Sequence, residues 1–462
     1  MSTRDASDGA ASDAGGDGGD RTDPPPGLWA NPNYRIFLGI QTLSALGDSF
    51  SYVAIPLLVL HSTGSIVQMG LVTGLTGVAS IATGLFAGVI ADRVDRRRLL
   101  MVADAARCLL YAVIPLVWLF AAPMWLIYSV VPLAGAFSML FQVAYVTLVP
   151  AIVEPGQITK ANGHLFGTYA VASAGGPTLA GFVASAFGPA TAIGIDSVTF
   201  AVSAAGILFV RVRATRPPDD DPHQGQRAGV RGEFLAGARF LWAHPVLRPL
   251  TVLLSLLTFL TYGLTDVIIF RVKEDLGHAD STVGYVLTAG TVGTCLAAFA
   301  VDRVRRRLGF GASWIGGFAL AGVALACLGL SENVPTLGAL AAVILFCTAF
   351  TGICSMSLRQ EVTPGHLLGR VTAAFWTIHS ALGPLGAAAV TAAVAGFGVA
   401  SVSLVIGVSV VCIALSGAAT GIGGATRRDR YVAGSARDDA GHEVDRRGQD
   451  AGAEDVGKQA MP

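Results

Sequence analysis

Apolar residues run in long blocks along most of this chain, broken by short polar and charged clusters rather than by the alternation of a half-buried strand. Blocks of this kind are long enough to cross a hydrocarbon core of about 30 Å, which takes roughly 20 helical residues. Twelve spans are predicted, near 34–60, 67–91, 99–120, 123–147, 164–187, 190–212, 246–270, 281–301, 310–331, 335–358, 368–395 and 398–421. The longest connection, from Arg211 to Pro245, follows the sixth span. It opens on Pro217-Pro218-Asp219-Asp220-Asp221-Pro222 and then reads as a short surface helix over Glu233–Trp242. The fold class expected is therefore an all-α membrane protein of twelve transmembrane helices in two pseudo-symmetric six-helix bundles.

Composition points the same way. The chain is 53% hydrophobic and 13% charged, and its 57 glycines and 21 prolines would damage soluble helices. In a bilayer, small residues let helices approach closely and neighbours satisfy the backbone groups that proline frees. A net charge of zero says little about partners, and neither nucleic-acid binding nor an enzyme is indicated. No Gly-x-x-x-x-Gly-Lys phosphate loop followed by Ser or Thr is present, since the one stretch of that spacing, Gly452–Lys458, continues into Gln459, so ATP-driven pumping by this chain is not expected. The six cysteines, Cys108, Cys295, Cys327, Cys347, Cys354 and Cys412, fall inside spans without metal-ligand spacing and read as packing residues, so no metal or cofactor is expected.

Short phrases recur a little over two hundred residues apart. Leu28-Trp29-Ala30-Asn31-Pro32 returns as Leu241-Trp242-Ala243-His244-Pro245, and Asp92-Arg93-Val94-Asp95-Arg96-Arg97-Arg98 returns as Asp302-Arg303-Val304-Arg305-Arg306-Arg307-Leu308. A duplicated membrane bundle leaves this kind of self-similarity. The domain plan that follows is a disordered tail over 1–30, a bundle over 31–212, a cytoplasmic linker over 213–245, a second bundle over 246–425 and a disordered tail over 426–462. The tails are too poor in periodic apolar residues to bury a core. The start of the chain shows no signal-peptide pattern, so insertion is expected to rely on the first span. Arg and Lys clusters at Arg93–Arg98, Lys160, Arg211–Arg239, Arg303–Arg307, Arg359–Arg370 and Arg427–Arg430 all fall on one side, and Arg271 and Lys273 on the other. That bias places both termini in the cytoplasm.

The stretch Gly88-Val89-Ile90-Ala91-Asp92-Arg93-Val94-Asp95-Arg96-Arg97 resembles the loop signature of the major facilitator superfamily, with Asp95 where the family pattern has its second glycine. The resemblance covers about residues 30–425. It implies a gating role for Gly88, Asp92, Arg93, Arg96 and Arg97, and for Asp302 and Arg303 of the second copy; Asp92 would cap a neighbouring helix. In the fifth span, Ala172-Ser173-Ala174-Gly175-Gly176-Pro177-Thr178-Leu179-Ala180-Gly181 resembles the antiporter motif of the family's exporters, carried by Gly176, Pro177 and Gly181, with an echo in Gly383-Pro384-Leu385-Gly386. A Gly-Pro pair removes a backbone bond and bends the helix, which a purely structural kink would also explain. Looser likeness in Gly47-Asp48, Thr63-Gly64-Ser65, Asp104-x-x-Arg107 and Ile195-Asp196-Ser197 resembles the branch containing siderophore and macrolide exporters.

Ionisable residues inside spans are the best functional candidates, because an Asp at a helix centre costs about 2.5–3.5 kcal/mol on insertion scales. Asp48 is the first candidate for a protonatable coupling carboxylate; the alternative is a carboxylate held by Gln41 or Ser44. Asp104 and Arg107, three apart on one face, read as a structural ion pair. Asp196 and Asp266 would line a cavity or meet Arg271, and His379 is either a titrating group or a hydrogen-bonded packing residue. The fourth span holds no Arg, Lys or His, although proton-driven exporters of the family often carry one there, and Arg107 is its candidate substitute. Together these features predict a single-chain, monomeric secondary exporter of small organic molecules in the bacterial cytoplasmic membrane. Its expected partners are substrate, protons and lipid bilayer, and its expected mechanism is alternating access with proton antiport. The rivals are a narrow siderophore exporter and a non-transporting receptor or assembly protein of the same fold.

Overall fold

The computed structural model describes residues 28–154, 157–211, 230–364 and 367–423, and these are helical almost throughout. The tails and residues 212–229 of the linker lie outside the described residues, as do the surroundings of Gly88 and the side chains of Asp92 and Arg93. In the first half of the chain the helices are α1 (Pro32–Thr63), α2 (Ile66–Arg93), α3 (Arg96–Trp118), α4 (Met124–Ile152), α5 (Ile158–Phe187) and α6 (Pro189–Ile207). The second half holds α7 (Val230–Ala243), α8 (Leu247–Thr261), α9 (Leu264–Phe270), α10 (Asp280–Leu328), α11 (Val334–Val362), α12 (Leu368–Ala381) and α13 (Gly383–Ser416). A π-turn over Arg271–Asp275 follows α9.

Among the described residues, ten stretches are long and apolar enough to cross a membrane. Two of them run to 49 and 52 residues, Asp280–Leu328 and Leu368–Ala419, and each changes direction at a glycine with positive φ, Gly309 at 78° and Gly398 at 77°. Large apolar side chains cover the outside: Phe120 is 91% exposed and Phe299 85%. In water such a surface would aggregate, whereas lipid makes it the natural exterior.

The recurring phrases turn out to be helix starts. Asn31 Oδ1 accepts the backbone N–H groups of Asn33 (3.0 Å) and Tyr34 (3.3 Å), so it caps α1 with Pro32 at the first helical position. At the matching position of the second copy His244 Nδ1 accepts from Val246 and Leu247, both at 3.2 Å, in the turn just ahead of α8, whose N-cap position is Val246. Burial holds the His244 imidazole below its ordinary value, which suits a ring nitrogen that must stay unprotonated to accept. His244→Ala is expected to cost about 1 kcal/mol of stability and His244→Asn to restore it, measured by thermal unfolding in detergent. Because the unfolded chain takes the proton more readily, the cap contributes fully above about pH 6.5 and its contribution falls as the pH drops below that value.

The second repeat diverges for a physical reason. Asp95 Oδ1 accepts the Arg98 N–H at 2.9 Å and caps α3, so the chain breaks between α2 and α3 at Val94–Asp95. Its counterpart is Arg305, which offers no acceptor; α10 runs straight through Asp302–Leu308 and breaks only at Gly309. Two expected spans are also interrupted: 246–270 divides at Tyr262-Gly263 between α8 and α9, and 368–395 divides at Leu382 between α12 and α13. The helix expected over Glu233–Trp242 is α7, whose Gly237 lies against the Arg370 carbonyl of α12.

Glycine sets how the two halves meet. α5 packs on α10 and α2 on α13. Gly181 of α5 faces the Asp280 carbonyl and Gly284 of α10, while Gly74 of α2 faces the Pro384 carbonyl of α13. Backbone stands against backbone at these points, an approach that any side chain would prevent.

Candidate transport cavity

The α2 residues Thr73, Thr76, Gly77 and Ser80 follow one another at i, i+3, i+4 and i+7, so they form one stripe, and that stripe is the wall of a cavity of about 460 Å³ between the two halves. Asp48, Ser51, Tyr52, Arg107, Tyr111 and Ser138 are among the other first-half residues in its lining, and Tyr262, Thr265 and Asp266 come from the second half. A second cavity of about 320 Å³ adjoins it and shares Asp48, Arg107 and Ser138; its walls include Gln41, Phe141, Tyr145, Phe166 and Tyr169. The aromatic surfaces suit an apolar or aromatic ligand, and Asp48 and Arg107 stand where the two spaces meet.

Arg107 gathers most of the charge. Its Nη2 donates to Asp48 Oδ1, its Nη1 lies 3.5 Å from Asp104 Oδ1, and its guanidinium sits 3.7 Å above the centre of the Phe200 ring. The expected Asp104–Arg107 pair is present, but it is the weaker contact; the principal partner of Arg107 is Asp48, which therefore is not held by Gln41 or Ser44. Asp48 keeps 48% of its side chain exposed toward the cavities, whereas Arg107 is nearly enclosed and Asp104 wholly so. A buried guanidinium with two carboxylates within reach compensates charges that would otherwise be costly to desolvate.

Asp196 takes a different place from the one expected. It is completely buried, accepts from Ser51 Oγ and from Thr199 Oγ1 (3.2 Å), and lines neither cavity nor meets Arg271. Gly47, beside Asp48, lies against Thr199 and Asp196, so the missing side chain lets α1 seat on α6. Arg271 instead bonds Asp275 Oδ2 at 2.8 Å and the Ser331 carbonyl at 3.0 Å.

Asp266 does line the cavity. It is 2% exposed and accepts from Thr73 Oγ1 of the opposite half at 2.8 Å, while the adjacent Thr265 bonds Tyr52 at 2.7 Å. His379 is not brought to either cavity. It bonds Thr258 Oγ1 through its ring (3.2 and 3.3 Å) and stacks on Phe375 at 5.2 Å, and the Arg359 guanidinium covers Phe375 at 3.7 Å. Among the aromatic residues, Phe141, Tyr145, Tyr52 and Tyr262 line the cavities; Phe375 and Trp376 do not.

Beyond the cavity the halves are joined where α1 ends and α10 begins. His61 Nε2 lies 3.1 Å from Asp280 Oδ1, Lys273 Nζ 2.7 Å from the same oxygen, and Thr178 bonds Thr288 at 2.7 Å. The antiporter-like motif belongs to this contact: Gly176 faces Ser49, the Pro177 carbonyl faces Gly284, and Gly181 faces Asp280, while α5 runs through Pro177 as one helix. At the opposite end, Arg97 donates from Nε to the Ile207 carbonyl (3.0 Å) and from Nη2 to that of Leu208, so it caps α6. Asp302 pairs with Arg306 at 2.5 Å and Arg305 with Glu361 at 2.6 Å.

Sequence reasoning missed Thr73, Ser51 and the His61–Asp280–Lys273 contact. The stripe at Thr73, Thr76 and Ser80 was the available signal, since a polar row at helical spacing inside an apolar span marks the face turned from lipid. Nothing comparable marked Asp280, which stands at a helix start where acidic residues are common.

The model of the Major Facilitator Superfamily matches residues 37–388. The chain belongs to that superfamily. This facilitator chain is 24% identical over 361 residues to the multidrug efflux pump Tap of Mycolicibacterium fortuitum, covering 77% of the chain and 87% of Tap. It is 25% identical over 381 residues to the enterobactin exporter EntS of Shigella dysenteriae serotype 1, covering 78% and 85%. Among solved structures it is similar to a point mutant of the nucleoside transporter NupG, at TM-score 0.70 and 11% identity over 84% of the chain and 99% of NupG. A bacterial homologue of the iron transporter ferroportin gives 0.63 and 14% over 85% and 99%. These likenesses establish a facilitator-type fold, and with the family match they make this chain a multi-pass membrane transporter rather than an enzyme.

Proposed function

We propose that this chain is a secondary exporter of small organic molecules that works by alternating access with proton antiport. Twelve crossings are supported by counting the two long helical stretches as two passes each, broken at Gly309 and Gly398. The count gives six passes before residues 212–229 and six after, and returns both termini to one side, the cytoplasm of a bacterial inner membrane by the distribution of Arg and Lys. The end joined by His61, Lys273 and Asp280 is then the outer end, closed in this state. Export is favoured by the similarity to Tap and EntS.

The observation that carries the reading is the Asp48–Arg107 pair at the meeting point of two cavities. Asp48 is half exposed beside an enclosed cation, so a substrate cation or a proton competes with Arg107 for the carboxylate. Substrate and proton then exclude each other at one group, which is the requirement for antiport. Siderophore export is the second reading, supported by the EntS similarity. Cells expressing the chain are expected to accumulate less drug than control cells, with the difference removed by a protonophore. Asp48→Asn is expected to return accumulation to the control level at unchanged membrane abundance. Full export by Asp48→Asn would reject the role, and iron-dependent export of a siderophore without drug export would select the second reading.

A further inference from the structure

Most acidic side chains at the cavity and its outer end have a cation beside them. Asp48 pairs with Arg107, Asp280 with Lys273 and His61, and Asp275 with Arg271. Asp266 differs. It is enclosed at 2% exposure, no Lys, Arg or His among the described residues lies within 4 Å of it, and its side-chain hydrogen-bond partner is Thr73 of the other half of the chain.

The elements around Asp266 supply no hidden counter-charge. α1 presents Tyr52, which bonds Thr265, and Asp48, which is engaged by Arg107. α2 offers Thr73 and has no ionisable residue between Ile66 and Ala91, while α13 has none apart from Cys412 far along its length. On its own segment, Tyr262 precedes it, and Arg271, Lys273, Glu274 and Asp275 follow, with Arg271 and Lys273 turned to Asp275 and Asp280. A bare carboxylate sealed among hydroxyls and apolar atoms is poorly solvated; the neutral acid is not, and it keeps the hydrogen bond to Thr73.

We infer that Asp266 is a proton-operated latch: the outer end closes when its carboxyl holds a proton and opens when that proton leaves. The inference rests on the alternating-access reading and adds the group that ties the proton to the gate. With the outer end open, Asp266 Oδ takes a proton from water outside. Closure then seals the neutral acid against Thr73 and Tyr52. In the closed state the O–H bond breaks toward water in the cavity, a hydronium ion leaves to the inner side, and the carboxylate left behind favours separation of α9 from α1 and α2. One proton moves inward for each outward opening, which is the stoichiometric direction an exporter needs.

The test is the distance between spin labels at Ser62→Cys and His278→Cys, both exposed at the outer end, in a variant lacking the native cysteines, reconstituted in nanodiscs and titrated with acid. The closed-to-open ratio is expected to rise as the pH falls, by up to about tenfold per pH unit for one linked proton. Asp266→Asn is expected to stay closed with no pH response, and Thr73→Val to lower the closed fraction while still titrating. A titration by Asp266→Asn equal to the parent's, or a parent distance that ignores pH, overturns the latch. The measurement needs no substrate: a parent protein that latches with pH but moves no compound in liposomes rejects the exporter reading and leaves the latch standing.

Discussion

Arg107→Ala is expected to be the most damaging single substitution in the first half of the chain, lowering stability by roughly 3–5 kcal/mol and abolishing export. The guanidinium lies within reach of Asp48 and Asp104 and rests on the Phe200 ring, so its removal leaves an enclosed carboxylate, Asp104, without a cation and uncovers an aromatic face. Arg107→Lys keeps the charge but not the planar fork that reaches two acids at once, and is expected to fall between the parent and alanine. Thermal unfolding in detergent, run beside transport in cells, checks both parts. An alanine variant as stable as the parent would mean that Asp104 needs no counter-charge, and the charge cluster would lose its structural role.

Gly181→Val is expected to stop transport while leaving the protein abundant. A Cβ at this position would stand 2.8 Å from the Asp280 carbonyl oxygen and 2.9 Å from Gly284 Cα, and backbone cannot swing aside as a side chain does. α5 and α10 must part, at an overpacking cost of about 1–3 kcal/mol, and that cost falls on the closed outer end alone. The closed-to-open ratio is expected to drop by about ten- to hundredfold, enough to hold the transporter in one state. Gly175→Ala, in the same motif but with open space around its Cβ, is the comparison expected to behave as the parent. Normal export by Gly181→Val would show that the outer end does not close through this contact.

The extent to which the sequence foretold these features follows from what each depends on. Helix positions depend on the length and apolarity of each block, and the expected spans coincide with helices, including the surface helix that became α7. Breaks inside blocks depend on single residues: Asp95 caps where Arg305 does not, and Tyr262-Gly263 divides a run that composition left whole. Asp48 was legible as a candidate because a lone acid in an apolar run is costly. Its partner was not, because Arg107 lies 59 residues away on another helix and only the folded packing brings the two together. For the same reason Asp196 and Asp266 looked alike in sequence, yet the packing seals one against Ser51 and Thr199 and sets the other in the cavity wall. Of the loop motif, Arg97 finds its role as a cap on α6, while the surroundings of Gly88 and the side chains of Asp92 and Arg93 lie outside the described residues.

In the proposed alternating access, the two halves of the chain rock about the Asp48–Arg107 cavity, closing one end as the other opens. Spin-label distances measured in one preparation at both ends test it directly, with Ser62→Cys and His278→Cys at the outer end and Lys160→Cys and Gly369→Cys at the inner. Opposite changes are predicted when transported drug or acid is added, the outer distance lengthening as the inner shortens and the reverse. Distances that stay fixed under every condition, or that lengthen together, would contradict it.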